Sequence, residues 1–340
     1  MMKAVVVRQP GQLQLEDVPR PQPNPYQALV QILACGVCNS TDWKIIDGQM
    51  PWAGPLPLLL GHESVGRVQQ VGSKVRRFAV GDLVSRPIVP AADGMGSAFG
   101  GFAQYGIVTD AQAKADAGDD TMLSDYNARR QLVLPPDLPL SQAVLAISLS
   151  ETASVLDGLG TLAQRRVLIA GTGIAGLALS MWCKLAGARR VVTLGRRAQR
   201  LERARLVGAD AAIDTTADDW LADAKTQLEG GADVAIEAVG DVRLAQDLHP
   251  LLTPDAVAQT YGVPPGTQNY PPPWTPAAVN EQDRMAWVID LLQRQIIDPA
   301  WFLTHHWPMD QIAEAFEAVR RGQVVKGVSY TTRSSLVAAT

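Results

Sequence analysis

The chain has 340 residues, 47% of them apolar, and a formal net charge of −4. That length exceeds what one hydrophobic core usually serves, so two domains are expected. The mild acidity and the lack of a basic run exclude a nucleic-acid binder, and no apolar stretch reaches the roughly 20 residues that span a bilayer.

The opening segment from Met1 to Arg8 is too short and too mixed for a secretory signal; it reads as a strand, and a cytoplasmic location is expected. Three cysteines, Cys35, Cys38 and Cys183, are too few for a disulfide framework and suit a reducing compartment. From Met1 to about Leu134, short Val/Ile/Leu runs alternate with Gly and Pro, as in Gly66–Gly72 and Val80–Val84, which predicts an all-β domain. Between Asp110 and Arg130, Asp and Ala dominate without apolar periodicity, as in a solvated insertion. From about Ser141 the pattern becomes helix–strand alternation, with strands at Arg166–Ala170, Val191–Leu194, Asp233–Glu237 and Ala256–Tyr261. That alternation predicts an α/β, doubly wound parallel sheet. Six prolines and Trp274 between Val263 and Pro276 predict an extended loop bordering a pocket.

Gly171-Thr172-Gly173-Ile174-Ala175-Gly176 follows one of these strands and opens the Ala/Leu-rich helix from Leu177 to Ala188. In that setting a G-x-G-x-x-G run signals dinucleotide binding: a tight turn, a backbone open to pyrophosphate, close helix–strand packing, and free N–H groups at the helix start. Where an acidic residue would take the ribose 2′-hydroxyl, this chain has Gly195, Arg196 and Arg197, with Arg200 one turn on. Guanidinium groups pair with a 2′-phosphate, so NADP(H) is expected over NAD(H).

Cys38 and Gly61-His62-Glu63 supply two ligand types of a catalytic zinc, which needs three protein ligands and one open position. Cys35 reads as a small buried residue and Cys183 as core. His305 and His306 read as surface cover, and Trp43, Trp52 and Trp274 as pocket or core residues.

Together, Cys35–Cys38, Gly61–Val68, Val80–Val84, the glycine run, the helix Gln199–Asp210 and the tail Leu303–Asp310 resemble the zinc-type medium-chain dehydrogenase/reductase superfamily of alcohol, polyol and sugar dehydrogenases. The resemblance implies a GroES-like β-barrel catalytic domain over residues 1–150, a Rossmann domain over 151–285, and a return to the first domain over 286–340. It implies further cofactor contacts at Val239 and Gly262, a small-molecule alcohol or carbonyl substrate, and a homodimer or homotetramer. The chain departs from the family pattern in several places. Pro87–Gly101 lacks the four cysteines of a structural zinc. Cys38-Asn39-Ser40-Thr41-Asp42 has one residue more than usual, so either Ser40 or Thr41 could relay the alcohol proton while Asp42 orients His62. The third ligand of a single catalytic zinc falls on Ser148 by counting and on Glu151 by local pattern. Glu151 is the preferred choice and Glu63 an alternative carboxylate.

The expected function is NADP(H)-dependent, zinc-assisted interconversion of an alcohol or polyol and its ketone or aldehyde. Two alternatives are a zinc-independent reductase of an activated C=C or C=N bond and a nucleotide-binding protein without turnover.

Overall fold

Short apolar strands punctuated by Gly and Pro build the first part of the chain, as their spacing predicts. The computed structural model describes residues 1–92, 94–332 and 335–336. In chain order the elements are β1 (Met2–Gln9), β2 (Gln12–Val18), β3 (Gln27–Val37), α1 (Thr41–Ile46), β4 (Leu58–Leu59), β5 (Ser64–Val71), β6 (Leu83–Ser85), β7 (Gly96–Ser97), β8 (Tyr105–Thr109), α2 (Ala111–Ala115) and β9 (Val133–Leu134). Helix α3 (Leu140–Ser154) then carries the chain from one compact unit into another.

The second unit alternates strand and helix: β10 (Arg166–Ala170), α4 (Ile174–Leu185), β11 (Arg190–Gly195), α5 (Ala198–Leu206), β12 (Ala211–Asp214), α6 (Trp220–Gln227), β13 (Ala232–Glu237), α7 (Val242–Asp247), β14 (Leu252–Thr260), β15 (Thr275–Pro276) and α8 (Met285–Gln293). Its strands pair in parallel in the order β12-β11-β10-β13-β14-β15. Val167, Leu168, Ile169 and Ala170 are all fully buried, as expected when helices cover both faces of a parallel sheet. The order reverses between β10 and β13, and ligands bind outside the carboxyl ends of strands at such a point.

The chain returns to the first unit with β16 (Leu303–Pro308), α9 (Ile312–Arg320) and β17 (Lys326–Tyr330). A four-stranded sheet, β2-β1-β4-β7, and a seven-stranded one, β16-β17-β3-β5-β6-β9 with β8 also on β3, make up that unit. Val5, Val37, Leu60, Phe102, Ala315 and Phe316 share one of its cores.

Three expectations need revision. The second unit extends to Phe302, past the boundary expected at 285, because α8 buries Met285, Val288 and Ile289 and sets Trp287 against Trp182 at 5.1 Å. The segment 110–130 is not simply solvated. Asp110 is buried, caps α2 by accepting from Ala113 N, and also accepts from Arg76 N and Arg77 N, while Ala128 and Arg130 are buried too. The proline-rich run adds β15 to the sheet, and Trp274 enters the core, its indole N–H donating to Ala245 O at 3.1 Å. Among the described residues no helix is long and apolar enough to cross a membrane.

Candidate active site

Three strand ends meet where the chemistry-bearing residues lie. Antiparallel pairing sets Cys35 of β3 opposite Ser64 of β5, and Val37 opposite Gly327 of β17. The residue just past β3, those just before β5 and the first of β17 are therefore brought together: Cys38, His62 with Glu63, and Lys326. The Asn39 side chain fastens this junction, donating to Val324 O at 2.6 Å and Val325 O at 3.2 Å.

Asp42, on the first turn of α1, is fully buried and serves both expected ligands. Its Oδ1 lies 3.0 Å from His62 Nδ1, and its Oδ2 accepts from Cys38 N at 3.0 Å. With Nδ1 so occupied, the imidazole hydrogen-bonds the Cys38 side chain as well. Burial opposes charge on the ring, but the Asp42 carboxylate and the Cys38 sulfur outweigh it and hold the His62 pKa well above its usual value. Arg86, at a left-handed φ of 51°, donates to the His62 carbonyl. Ser40 Oγ accepts from Lys44 Nζ at 3.1 Å, and Thr41 opens α1.

Glu63 is paired instead with Lys326, both side chains being buried. Burial works against the Lys326 charge, yet Glu63, Cys38 and Asp42 raise its pKa overall. Gly36 leaves the room for this pair: a Cβ there would meet Glu63 Oε2 at 2.5 Å and Lys326 Nζ at 2.8 Å. Within this unit, among the described residues, no third His, Cys, Asp or Glu joins Cys38 and His62 in a group able to hold a metal ion. Cys35 is buried, and burial raises its pKa well above the usual thiol value, so it stays a neutral core thiol. His305 stacks on Trp307, and His306 Nδ1 lies 3.0 Å from the Tyr330 hydroxyl.

The second unit carries the glycine run between β10 and α4. Gly171 has a φ of 120°, and a Cβ on Gly176 would stand 1.9 Å from Gly171 O, so both positions require glycine. A Cβ at Gly173 would meet no protein atom, which leaves the helix N-terminus open to a ligand. Ile174 and Ala175 form the first turn of α4, Thr172 packs where Gly195 has no side chain, and Gly262 crosses tightly over Gly240. Arg196, Arg197 and Val239 are exposed. Arg200 is half-buried, and burial, then the Arg197 charge, lower its pKa to about 10. Ser148 is buried, and Glu151 Oε2 accepts from the Tyr261 hydroxyl at 3.3 Å.

Residues 24–115 match the model of the alcohol dehydrogenase GroES-like domain, and residues 175–283 that of the zinc-binding dehydrogenases. The chain belongs to the zinc-type medium-chain dehydrogenase/reductase superfamily. Within it the chain is an enzyme of the alcohol dehydrogenase family. It is 28% identical to the sorbitol dehydrogenase of Ovis aries over 340 residues, covering 95% of this chain and 94% of the relative. A protein of Sinorhizobium meliloti 1021 solved with NADP bound superposes with a TM-score of 0.78 at 23% identity, covering 97% and 99% of the two chains. An alcohol dehydrogenase from E. coli CFT073 solved with NADH gives 0.78 at 22%, again covering 97% and 99%. The last two likenesses show the fold alone.

For this superfamily member, Cys38, Asp42 and His62 were readable from local motifs. Lys326, Arg86, Glu237 and Tyr270 were not. Glu237 ends β13 buried, accepting from Val239 N at 2.6 Å, Gly240 N at 3.0 Å and the Tyr270 hydroxyl at 2.5 Å. A carboxylate closing an apolar strand was the one signal that could have marked it.

Proposed function

We propose that this enzyme interconverts an alcohol or polyol and its ketone or aldehyde, using NADP(H) and one zinc ion. The observation that carries the reading is the junction of Cys38, His62 and Asp42, where a buried carboxylate fixes an imidazole against a thiol. This is the arrangement in which an outer carboxylate orients a metal-binding histidine. Cys38 and His62 would supply two of the three protein ligands such an ion needs, and a carboxylate would have to join them as the third. Glu151 is a better third ligand than Glu63, because drawing Glu63 away would leave Lys326 as an uncompensated buried charge. When bound, zinc polarises the substrate oxygen and lowers the alcohol's pKa, and the nicotinamide takes or gives the hydride with its two electrons.

The hydroxyl of Ser40 or Thr41 takes the proton that the alcohol loses and passes it to solvent; in the reverse direction it returns that proton to the carbonyl oxygen. Asp42 keeps the His62 ring in one tautomer and orientation throughout. In the second unit, the open backbone at Gly173 receives the pyrophosphate, and Arg196 and Arg197 pair with the 2′-phosphate. Burial and, after it, the Arg197 charge lower the Arg200 pKa, and a bound phosphate would offset that unfavourable charge.

Metal analysis of protein purified without chelator tests the first half. About one zinc per chain is expected, lost in Cys38→Ala; a metal-free protein fully active after chelation would refute it. For the second half, NADPH should bind tighter than NADH, and Arg196→Ala/Arg197→Ala should erase roughly tenfold or more of that preference. Equal affinities in the wild type would overturn the phosphate assignment.

A further inference from the structure

An aromatic side chain, Phe99, packs beside the His62 ring and carries two further aromatic rings with it. Phe99 stands at their centre, its ring centroid 5.9 Å from that of His62, 6.3 Å from Trp52 and 6.4 Å from Tyr126. The three rings come from three separate segments: the turn Pro51–Ala53, the stretch after β7, and the stretch before Ala128. Trp52 and Tyr126 remain 55% and 54% exposed, two large apolar faces left in water next to a reacting centre. Arg130 lies over the Tyr126 ring at 3.6 Å from its centroid and fixes the far end of the row.

Phe99 adds a second kind of observation. It holds a φ of 71°, a left-handed conformation uncommon for a bulky residue, which costs free energy and persists where the surroundings impose it. The strained backbone holds this ring in contact with His62 and with both exposed rings. A site that reads a chain of hydroxyl groups needs several placed donors and acceptors, since each desolvated hydroxyl must regain a hydrogen bond. Here the row offers π faces, with polar capacity confined to the Trp52 indole N–H and the Tyr126 hydroxyl. These rings already pack on one another at tilted and edge-on angles, so a further planar ring would stack on the exposed faces of Trp52 and Tyr126.

We propose that the Phe99–Trp52–Tyr126 row selects an aromatic alcohol of the benzylic or cinnamylic type, and its aldehyde, in preference to a polyol. The assignment rests on the reading of Cys38 and His62 as the reacting end. The substrate ring would lie along the row with its carbinol carbon toward His62, so that Phe99 and Trp52 set specificity without taking part in proton or hydride transfer.

The test uses the full-length, zinc-loaded enzyme with NADP+ and with NAD+, comparing kcat/KM for benzyl alcohol, cinnamyl alcohol, 1-propanol and sorbitol. The two aromatic alcohols should exceed both others by about tenfold or more. Trp52→Ala and Phe99→Ala should each lower the benzyl alcohol to 1-propanol ratio by about tenfold. Trp52 is largely exposed, so its substitution reads the row even where loss of Phe99 unsettles the loop. Sorbitol turned over as well as benzyl alcohol, or a ratio unmoved by Trp52→Ala, would overturn the aromatic assignment and leave the dehydrogenase reading intact. Failure of all four alcohols with both cofactors, and of benzaldehyde and propanal with NADPH and NADH, would instead overturn the dehydrogenase reading itself.

Discussion

At the scale of single residues, the Glu63–Lys326 pair shows how much a neighbour of the site depends on what surrounds it. Both side chains are buried, so each charge is tolerable only beside the other. Lys326→Met should therefore destabilise the protein by about 3–5 kcal/mol, and adding Glu63→Gln should recover much of the loss. Chemical denaturation of the two single variants and the double variant checks this; additive losses would show that the pair is not coupled. Asp42 and His62 were legible beforehand because they sit within short motifs. Lys326 was not, because it lies 263 positions from Glu63 and only the pairing of β17 with β3 brings them together. The same holds for Phe99, Trp52 and Tyr126, which no local pattern joins.

At the scale of elements, α2 illustrates a helix held by its cap. Five residues are too few to be helical on propensity alone. Asp110 supplies what is missing by accepting three backbone N–H groups, from Ala113, Arg76 and Arg77. Burial alone would raise the Asp110 pKa, but these donors outweigh it and the net shift is downward. A carboxyl with a depressed folded-state pKa contributes its full stability above the unfolded value and loses it as pH falls through the folded one. Asp110→Asn should therefore cost about 1–2 kcal/mol at pH 7. That difference should begin to shrink as pH falls below about 4, where the unfolded-state carboxyl takes up its proton, and should go on shrinking until the folded-state carboxyl protonates at a lower pH. Thermal melts of both proteins from pH 7 to pH 3 measure it, and a gap independent of pH would contradict the account. The parallel strands were legible because each is a continuous apolar run between turn residues. The short helices of 110–130 were not, since their order comes from tertiary hydrogen bonds.

At the scale of the whole molecule, the two units have different relations to the chain. The second is a single stretch, Ser148 to Phe302, and the glycine run and the arginines after β11 lie wholly within it. NADPH at a hundred times its dissociation constant should add about 2.7 kcal/mol to the stability of whatever unfolds with that site. Hydrogen exchange should show the protection concentrated at Gly171–Gly176 and Gly195–Arg200; equal protection at Cys38–Asp42 and nowhere in the glycine run would contradict the placement of the cofactor. The first unit is discontinuous, and its central strand β3 has a neighbour, β17, near the far end of the sequence. On the ribosome, then, the order of completion reverses the order of synthesis. The nucleotide-binding unit has all its strands once Phe302 has emerged, whereas the residues around Cys38, made first, wait for Lys326 before the junction that holds them can close.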